Sequence, residues 1–220
     1  IVVESTYGDR RHDEQESIAG LEATIRDTIA RGGTVVIPAF AVDRTEIILH
    51  HLDRMAEEGR LPDVPVYVDS PMALAALRVY REAARSASPE LRHGLPLDPT
   101  PFLSDRLHEV QDAEASKRLS ASREPKVIIS ASGMATGGRV VHHLAAFVPD
   151  ERSSIVLVGY QAPGTRGQAL LAGTRELKMH GRYVRVRAHV VNLPAFSVHA
   201  DADEIMGWLR TTSGTPRGVY

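Results

Sequence analysis

The chain has 220 residues, of which 43% are hydrophobic and 25% charged, and this composition excludes a disordered, collagen-like or coiled-coil protein. It has no cysteine, which excludes a disulfide framework and a thiolate zinc site and predicts a cytoplasmic location, and no apolar run is long enough to cross a membrane. The formal net charge of −2 gives no overall attraction to nucleic acid, so local arginine clusters would have to hold a polyanionic ligand.

The two ends of the chain both have the character of strands. The chain opens on Ile1-Val2-Val3-Glu4, without an initiator methionine or a polar leader, and closes on Gly218-Val219-Tyr220. We therefore expect a piece of a longer protein.

Between the ends, short apolar runs alternate with segments of helical periodicity. In residues 17–31, for example, Ile18, Leu21, Ile25 and Ile29 recur at helical spacing before Gly32. Four apolar runs predict buried strands, over residues 34–40, 64–69, 126–130 and 154–160. This alternation predicts an α/β fold, a Rossmann-like and mostly parallel sheet flanked by helices.

Three helix starts are predicted from capping residues. They are Asp43 with Glu46, Ser70 before Pro71, and Asp201 with Glu204.

Two segments depart from the α/β pattern. Residues 86–105 contain four prolines and predict a long irregular connection. Residues 183–191 alternate apolar and polar side chains, which predicts one half-exposed, antiparallel strand. The change in composition before this segment marks a domain boundary.

Histidine is the obvious candidate metal ligand, because the chain has ten histidines and no cysteine. The motifs H-x-H-x-D-H and H-E-x-x-H are absent. The pairs at 50–51 and 142–143 lie in predicted helices, where neighbouring side chains diverge and favour capping or hydrogen bonding over sharing one ion. His199 stands on a turn between a strand and a capped helix, so it is either a metal ligand or a loop histidine bonded to backbone.

A second candidate site lies at the carboxyl edge of the predicted sheet. Residues 130–139 form a glycine-rich turn leading into a helix, which suits a phosphate or serves packing alone. Arg44, Arg139 and Arg166 each follow a predicted strand, so three guanidinium groups converge on this edge.

Six segments in this order resemble the β-CASP family of metallo-β-lactamase-fold nucleases, which includes RNA-processing exonucleases of bacteria and the endonuclease subunit of the polyadenylation machinery. They are ESTYGDR from Glu4, IPAFAVDRTE from Ile37, VDSPMA from Val68, SASGMATGGRVVHHL from Ser130, GYQAPGTRG from Gly159 and FSVHAD from Phe196.

The resemblance implies a zinc-dependent ribonuclease that hydrolyses RNA phosphodiesters with two zinc ions. It implies that Glu4 is the acidic residue of the metal centre and that His199 is a catalytic zinc ligand, since RNA-acting members carry histidine there. Contacts to RNA phosphate are predicted for Arg44, Ser132, Gly133, Arg139, Arg166 and Ser197.

The implied domain organisation has three parts. Residues 1–10 end a metallo-β-lactamase part, residues 11–182 form the β-CASP domain, and residues 183–220 return to the metallo-β-lactamase part. The expected partners are RNA and a missing N-terminal metallo-β-lactamase half, with no membrane and with a homodimer left open.

This sequence differs from the family pattern in two ways. Ala169 stands near the position where eukaryotic endonucleases carry a motif B histidine, with His142 or His143 as a weak substitute. The remaining zinc ligands would precede Ile1, so the chain alone is expected to be inactive. Two alternatives stay open: a catalytically dead module that binds RNA or protein, and a nucleotide-binding Rossmann-like domain.

Overall fold

A computed structural model of the chain describes residues 1–11, 13–86, 102, 105–196 and 199–220. The elements in chain order are α1 (Glu14–Ala30), β1 (Thr34–Pro38), α2 (Arg44–Glu57), β2 (Val66–Val68), α3 (Pro71–Arg85), β3 (Leu107–Glu109), α4 (Ala113–Ala121), β4 (Lys126–Ser130), α5 (Arg139–Phe147), β5 (Ser154–Leu157), α6 (Arg166–Leu171), β6 (Glu176–Met179), β7 (Arg182–Arg185), β8 (His189–Asn192) and α7 (Ala202–Leu209).

In the described part of the chain, the central sheet has six strands in the order β3-β2-β4-β1-β5-β8. Each neighbouring pair in this sheet is parallel. Parallel strands need crossover connections, and helices fill them, so the predicted α/β fold with a flanked, Rossmann-like sheet is confirmed.

Both faces of the sheet are buried, which explains why its central strands are continuous apolar runs. All five residues of β1 are buried. Val35 and Ile37 point into one core with α1, α2 and α3, whereas Val36 points into the other with α4, α5 and α6, as the two-residue period of a strand requires.

Strand β4 occupies the residues predicted for it, 126–130, and the other three predicted strands are shorter than their apolar runs. Strand β3 has no signal in the sequence, because residues 107–109 have no apolar pattern and the strand lies at the sheet edge, half-buried or exposed. Most of the connection predicted over residues 86–105 lies outside the described residues.

The prediction of one antiparallel strand over residues 183–191 is wrong. The segment divides into β7, which pairs antiparallel with β6, and β8, which pairs parallel with β5. The break has a backbone cause, since the N–H groups of Arg187 and Ala188 both donate to the carbonyl of Val148, 2.9 Å away. The chain therefore leaves the two-stranded hairpin and crosses to the edge of the main sheet.

Two of the predicted helix caps are confirmed. The Ser70 side chain accepts from the Ala73 N–H with Pro71 in the first turn, and Asp201 and Glu204 form a reciprocal capping box.

The helix start predicted at Asp43 is confirmed, because α2 begins at Arg44, but the side-chain capping box predicted there is wrong. Asp43 has a φ of 62°, and its carboxylate accepts a hydrogen bond from the Tyr80 hydroxyl instead of capping α2. A hydrogen bond between the start of α2 and a residue of α3 has therefore replaced the local capping hydrogen bond.

Among the described residues, no helix combines the length and the apolar character needed to span a bilayer.

Candidate functional site

The first candidate site brings together residues from the two ends of the chain. His199 Nδ1 lies 3.1 Å from Glu4 Oε2, and the two side chains are 41% and 50% exposed. The pKa of Glu4 is lowered, first by hydrogen bonding from Thr6, whose N–H lies 3.1 Å from Oε2, and then by His199. The carboxylate is therefore ionised and placed to orient the imidazole.

Backbone pairing holds these two segments in register. Tyr7 and Asp201 form a parallel bridge, and the Ala202 N–H donates to the Arg10 carbonyl at 3.0 Å. Because Asp201 also caps α7, the turn carrying His199 is fixed on one side by a helix start and on the other by the first segment of the chain.

Tyr7 lies between the Glu4 and His199 pair and Arg44 at the carboxyl edge of the sheet. Its ring is buried and meets the His199 ring edge-on, with 5.8 Å between centroids. The Arg10 guanidinium lies 5.1 Å from the same ring. Burial lowers the pKa of Arg44, and Tyr7 and Asp43 are close enough to oppose that shift.

The donor chemistry at this point fits zinc, because imidazole and carboxylate are both common zinc ligands. Across the parts of the chain that the structure describes, no group of three or more histidine, cysteine, aspartate or glutamate residues is arranged to hold a metal ion. Zinc takes three or four ligands, so this point could supply only part of a metal centre.

The structure places the three predicted phosphate-binding arginines at the carboxyl edge, but each guanidinium donates within the protein. Arg44 is only 3% exposed and donates to the Val158 carbonyl. Arg139 bonds Asp69 Oδ1 at 2.7 Å, and Arg166 bonds the carbonyls of Ala135, Thr136 and Lys178 at 2.9–3.1 Å. The observed contacts therefore brace the loops of this edge.

The glycine-rich turn is shaped by close packing. The Ser132 hydroxyl lies 3.0 Å from the Thr136 hydroxyl and accepts from the Thr136 N–H. Gly133 lies against the Phe40 ring, where an added Cβ would approach Cδ2 to 2.8 Å. Gly138 precedes α5 with a φ of 80°, which favours glycine.

Ser197, the remaining predicted phosphate contact, lies outside the described residues, so the structure places only the neighbouring Phe196 and His199.

A buried polar network beneath this edge was missed by sequence reasoning. Asp69 is fully buried and directly follows β2. Its Oδ2 lies 2.7 Å from His143 Nε2, and its Oδ1 accepts the hydrogen bond from Arg139. His143 Nδ1 lies 2.9 Å from the Ser120 hydroxyl, so both ring nitrogens are engaged. Burial opposes ionisation, but hydrogen bonds from His143, Ser116 and Arg139 leave the pKa of Asp69 below its usual value.

The available sequence signal for this network was the order of the segments. Asp69 follows one strand and His143 lies in the helix after a neighbouring strand, but their separation of 74 residues gives no local pattern.

Sequence reasoning also missed the burial of Glu46, in the first turn of α2. Glu46 is 2% exposed, and burial raises the pKa of its carboxyl to about 7. Hydrogen bonds from the backbone N–H groups of Glu46 and Asp43 lower this pKa, but by less than burial raises it. The failed capping box explains the omission, because that motif would have placed the carboxylate at the surface.

Comparison with known proteins gives two family matches and several relatives. Residues 45–170 match the Beta-Casp domain, and residues 183–220 match the Zn-dependent metallo-hydrolase RNA specificity domain.

Three relatives illustrate the similarity. A ribonuclease of Thermus thermophilus is 38% identical over 220 residues, covering 100% of this chain and 50% of the relative. The transcription termination factor FttA of Methanosarcina mazei is 31% identical over 229 residues, 100% of this chain and 36% of the relative. An RNase J-like protein of Methanocaldococcus jannaschii is 32% identical over 213 residues, 96% of this chain and 48% of the relative. The chain therefore spans half or less of the length of these curated relatives.

Proposed function

Because the chain belongs to the Beta-Casp domain family, we propose that it forms the substrate-gripping part of a zinc-dependent ribonuclease that hydrolyses RNA phosphodiesters. The observation that carries the proposal is the contact of His199 with Glu4 at 3.1 Å, which joins an imidazole and an ionised carboxylate at one partly exposed point. The match of residues 183–220 to a zinc-dependent RNA specificity domain supports it.

In this proposal Glu4 positions the histidine. With the Nδ1–H group donating a hydrogen bond to the Glu4 carboxylate, the ring is oriented so that Nε2 is the metal donor, an arrangement common among metal-binding histidines. Zinc at this point would supply Lewis-acid stabilisation of charge developing on phosphate and a water of lowered pKa. We propose two zinc ions, whose other ligands come from an N-terminal metallo-β-lactamase half.

The proposed division of the chain is 1–10, 11–182 and 183–220. The start of the RNA specificity match at residue 183 supports the second boundary. RNA is the proposed partner and the cytoplasm the proposed location, in line with the absence of cysteine. A homodimer stays a prediction. So do the phosphate contacts of Arg44, Ser132, Gly133, Arg139, Arg166 and Ser197.

The test compares a protein that joins this chain to its metallo-β-lactamase half with its His199→Ala variant. We expect zinc-dependent cleavage of labelled RNA by the first and at least a hundredfold loss in the second, because a metal ligand is removed. His189→Ala, at another exposed histidine, is the matched control and should retain activity.

Two results would contradict the proposal. RNA binding without cleavage by the joined protein, at any zinc concentration, would favour a catalytically dead binding module. Zinc-dependent cleavage by the 220-residue chain alone would show that the metal centre does not need further ligands from another part of the protein.

A further inference from the structure

The hairpin of β6 and β7 concentrates positive charge in a chain that is negative overall. Residues 174–187, named here the basic hairpin, contain Glu176 as the single carboxylate and five cationic side chains, which are Arg175, Lys178, Arg182, Arg185 and Arg187. The whole chain has a formal net charge of −2. The positive charge is therefore local, which is how a weakly acidic protein can attract a polyanion.

These five cations are exposed and are not neutralised by ion pairs in the described part of the chain. Elsewhere on the surface, arginines such as Arg60, Arg81 and Arg152 each pair with a carboxylate. Even Arg185 forms no salt bridge with Glu176, although the two residues are directly opposite in the register. Like charges held together without neutralisation repel, and binding an anion relieves that repulsion.

An exposed aromatic side chain lies among the cations. Leu177 and Met179 are buried, so the alternate positions Lys178 and, across the hairpin, Tyr183 share the outer face. Tyr183 is 69% exposed, and Lys178 Nζ lies 5.9 Å from its ring centroid. Proteins that bind single-stranded nucleic acid combine an exposed aromatic ring, on which a base stacks, with nearby cations that bind the phosphates.

The basic hairpin is attached to the glycine-rich turn at the carboxyl edge of the sheet. Arg166 donates to the Lys178 carbonyl with Nε, and to the carbonyls of Ala135 and Thr136 with Nη1. The His180 ring, at the hairpin turn, stacks on His142 of α5 with 4.4 Å between centroids. The basic hairpin is thus fixed beside the glycine-rich turn and α5.

We propose that the basic hairpin is a second surface for single-stranded RNA, separate from the Glu4 and His199 point. Its cations hold phosphates and the Tyr183 ring stacks a base. The inference rests on the proposed function, since that function makes RNA the substrate. It goes further by assigning part of the RNA affinity to residues that make no contact with the metal point.

The test measures binding of a fluorescein-labelled 20-nucleotide single-stranded RNA by the chain over a series of salt concentrations. The variant Lys178→Gln, Arg182→Gln, Arg185→Gln should bind at least tenfold more weakly. Its slope of log K against log salt should fall by about 2, because each neutralised phosphate of a single strand contributes about 0.7 to that slope. The matched control is the variant Arg26→Gln, Arg54→Gln, Arg118→Gln, which removes three exposed arginines from helices. It has the same net charge as the hairpin variant. It should keep both affinity and slope, and equal thermal midpoints for all proteins should show that each is folded.

Base stacking has its own variant. Tyr183→Ser should weaken RNA binding at least threefold without changing the salt slope, whereas Tyr183→Phe should retain affinity, because every aromatic face can stack a base. Equal weakening by the two triple variants would overturn the proposal, as would RNA binding too weak to detect at 50 mM salt. An unchanged affinity in Tyr183→Ser would also count against it.

The outcome is distinguishable from that of the proposed function. The hairpin variants are measured by RNA affinity alone in the 220-residue chain, whereas the proposed function is measured by RNA cleavage in the joined protein. Loss of affinity in the hairpin variants together with absent cleavage would uphold the hairpin and reject the nuclease. Cleavage by the joined protein, together with normal RNA affinity in the hairpin variants, would uphold the nuclease and reject the hairpin as an RNA-binding surface.

Discussion

The imidazole of His199 lies 3.1 Å from the carboxylate of Glu4, although 195 positions separate them in the chain. The bridge between Tyr7 and Asp201 and the capping box of α7 hold the two segments together. No residue of α7 is buried, so this helix depends on its cap and on backbone pairing.

The first prediction therefore concerns Asp201. Asp201→Ala should cost about 1 kcal/mol, the usual effect of losing an N-cap, and should speed amide hydrogen exchange in residues 202–209. Asp203→Ala is the matched control, because that carboxylate is exposed and pairs with Arg11. Equal exchange rates in the two variants would show that the cap does not hold α7.

The second prediction concerns the buried network at Asp69. Asp69→Asn should reduce the free energy of unfolding by about 3 to 5 kcal/mol, since it removes a charge that two buried or half-buried partners require. Glu114→Gln, which breaks an exposed pair with Lys117, should change stability by less than about 1 kcal/mol. Urea unfolding of both variants measures the difference.

The third prediction gives the pH dependence of the same group. The pKa of Asp69 is lowered in the folded protein, so its stabilising contribution is present above the unfolded value of 3.8 and is lost as the pH falls through the folded value. Below about pH 4 the stability advantage of the parent chain over Asp69→Asn should shrink. A difference that stays constant from pH 6 to pH 3 would contradict the lowered pKa.

The fourth prediction has the opposite sign and concerns Glu46. Because burial raises the pKa of Glu46 to about 7, the folded state binds a proton more tightly than the unfolded state does. Stability should therefore fall as the pH rises from 4.5 to about 7 and then level off. Glu46→Gln should flatten this slope, whereas Glu57→Gln, at the exposed end of α2, should leave it unchanged. Thermal midpoints at half-unit pH steps provide the measurement.

The fifth prediction tests the packing of the glycine-rich turn. Gly133→Ala should destabilise the chain by roughly 1–3 kcal/mol, because the added Cβ would meet the Phe40 ring and backbone. Gly207→Ala, inside α7 with open space around it, should instead stabilise by about 0.5–1 kcal/mol. Destabilisation by Gly133→Ala should be smaller in a Phe40→Ala background, and an unchanged cost there would mean that the backbone contact dominates.

Much of the fold could be predicted because its signals are local. Strand β4 occupies the apolar run 126–130, and Ser70 and Asp201 cap helices as their neighbours in sequence indicate. The same reasoning failed at Asp43, where a contact with Tyr80 from another helix replaced the local cap. It also failed at residues 186–188, where bonds to Val148 divide one alternating segment between two sheets.

The sequence by itself determined the alternation of strands and helices, the parallel sheet and the residue types available for chemistry, because burial and capping act over a few positions. Only the tertiary structure decided which of those residues meet. It joined Glu4 to His199, directed the Arg44 guanidinium to the Val158 carbonyl rather than to solvent, and buried Asp69 against His143. Each of these contacts joins residues more than 70 positions apart, and their distances follow from how helices and strands pack rather than from any local pattern.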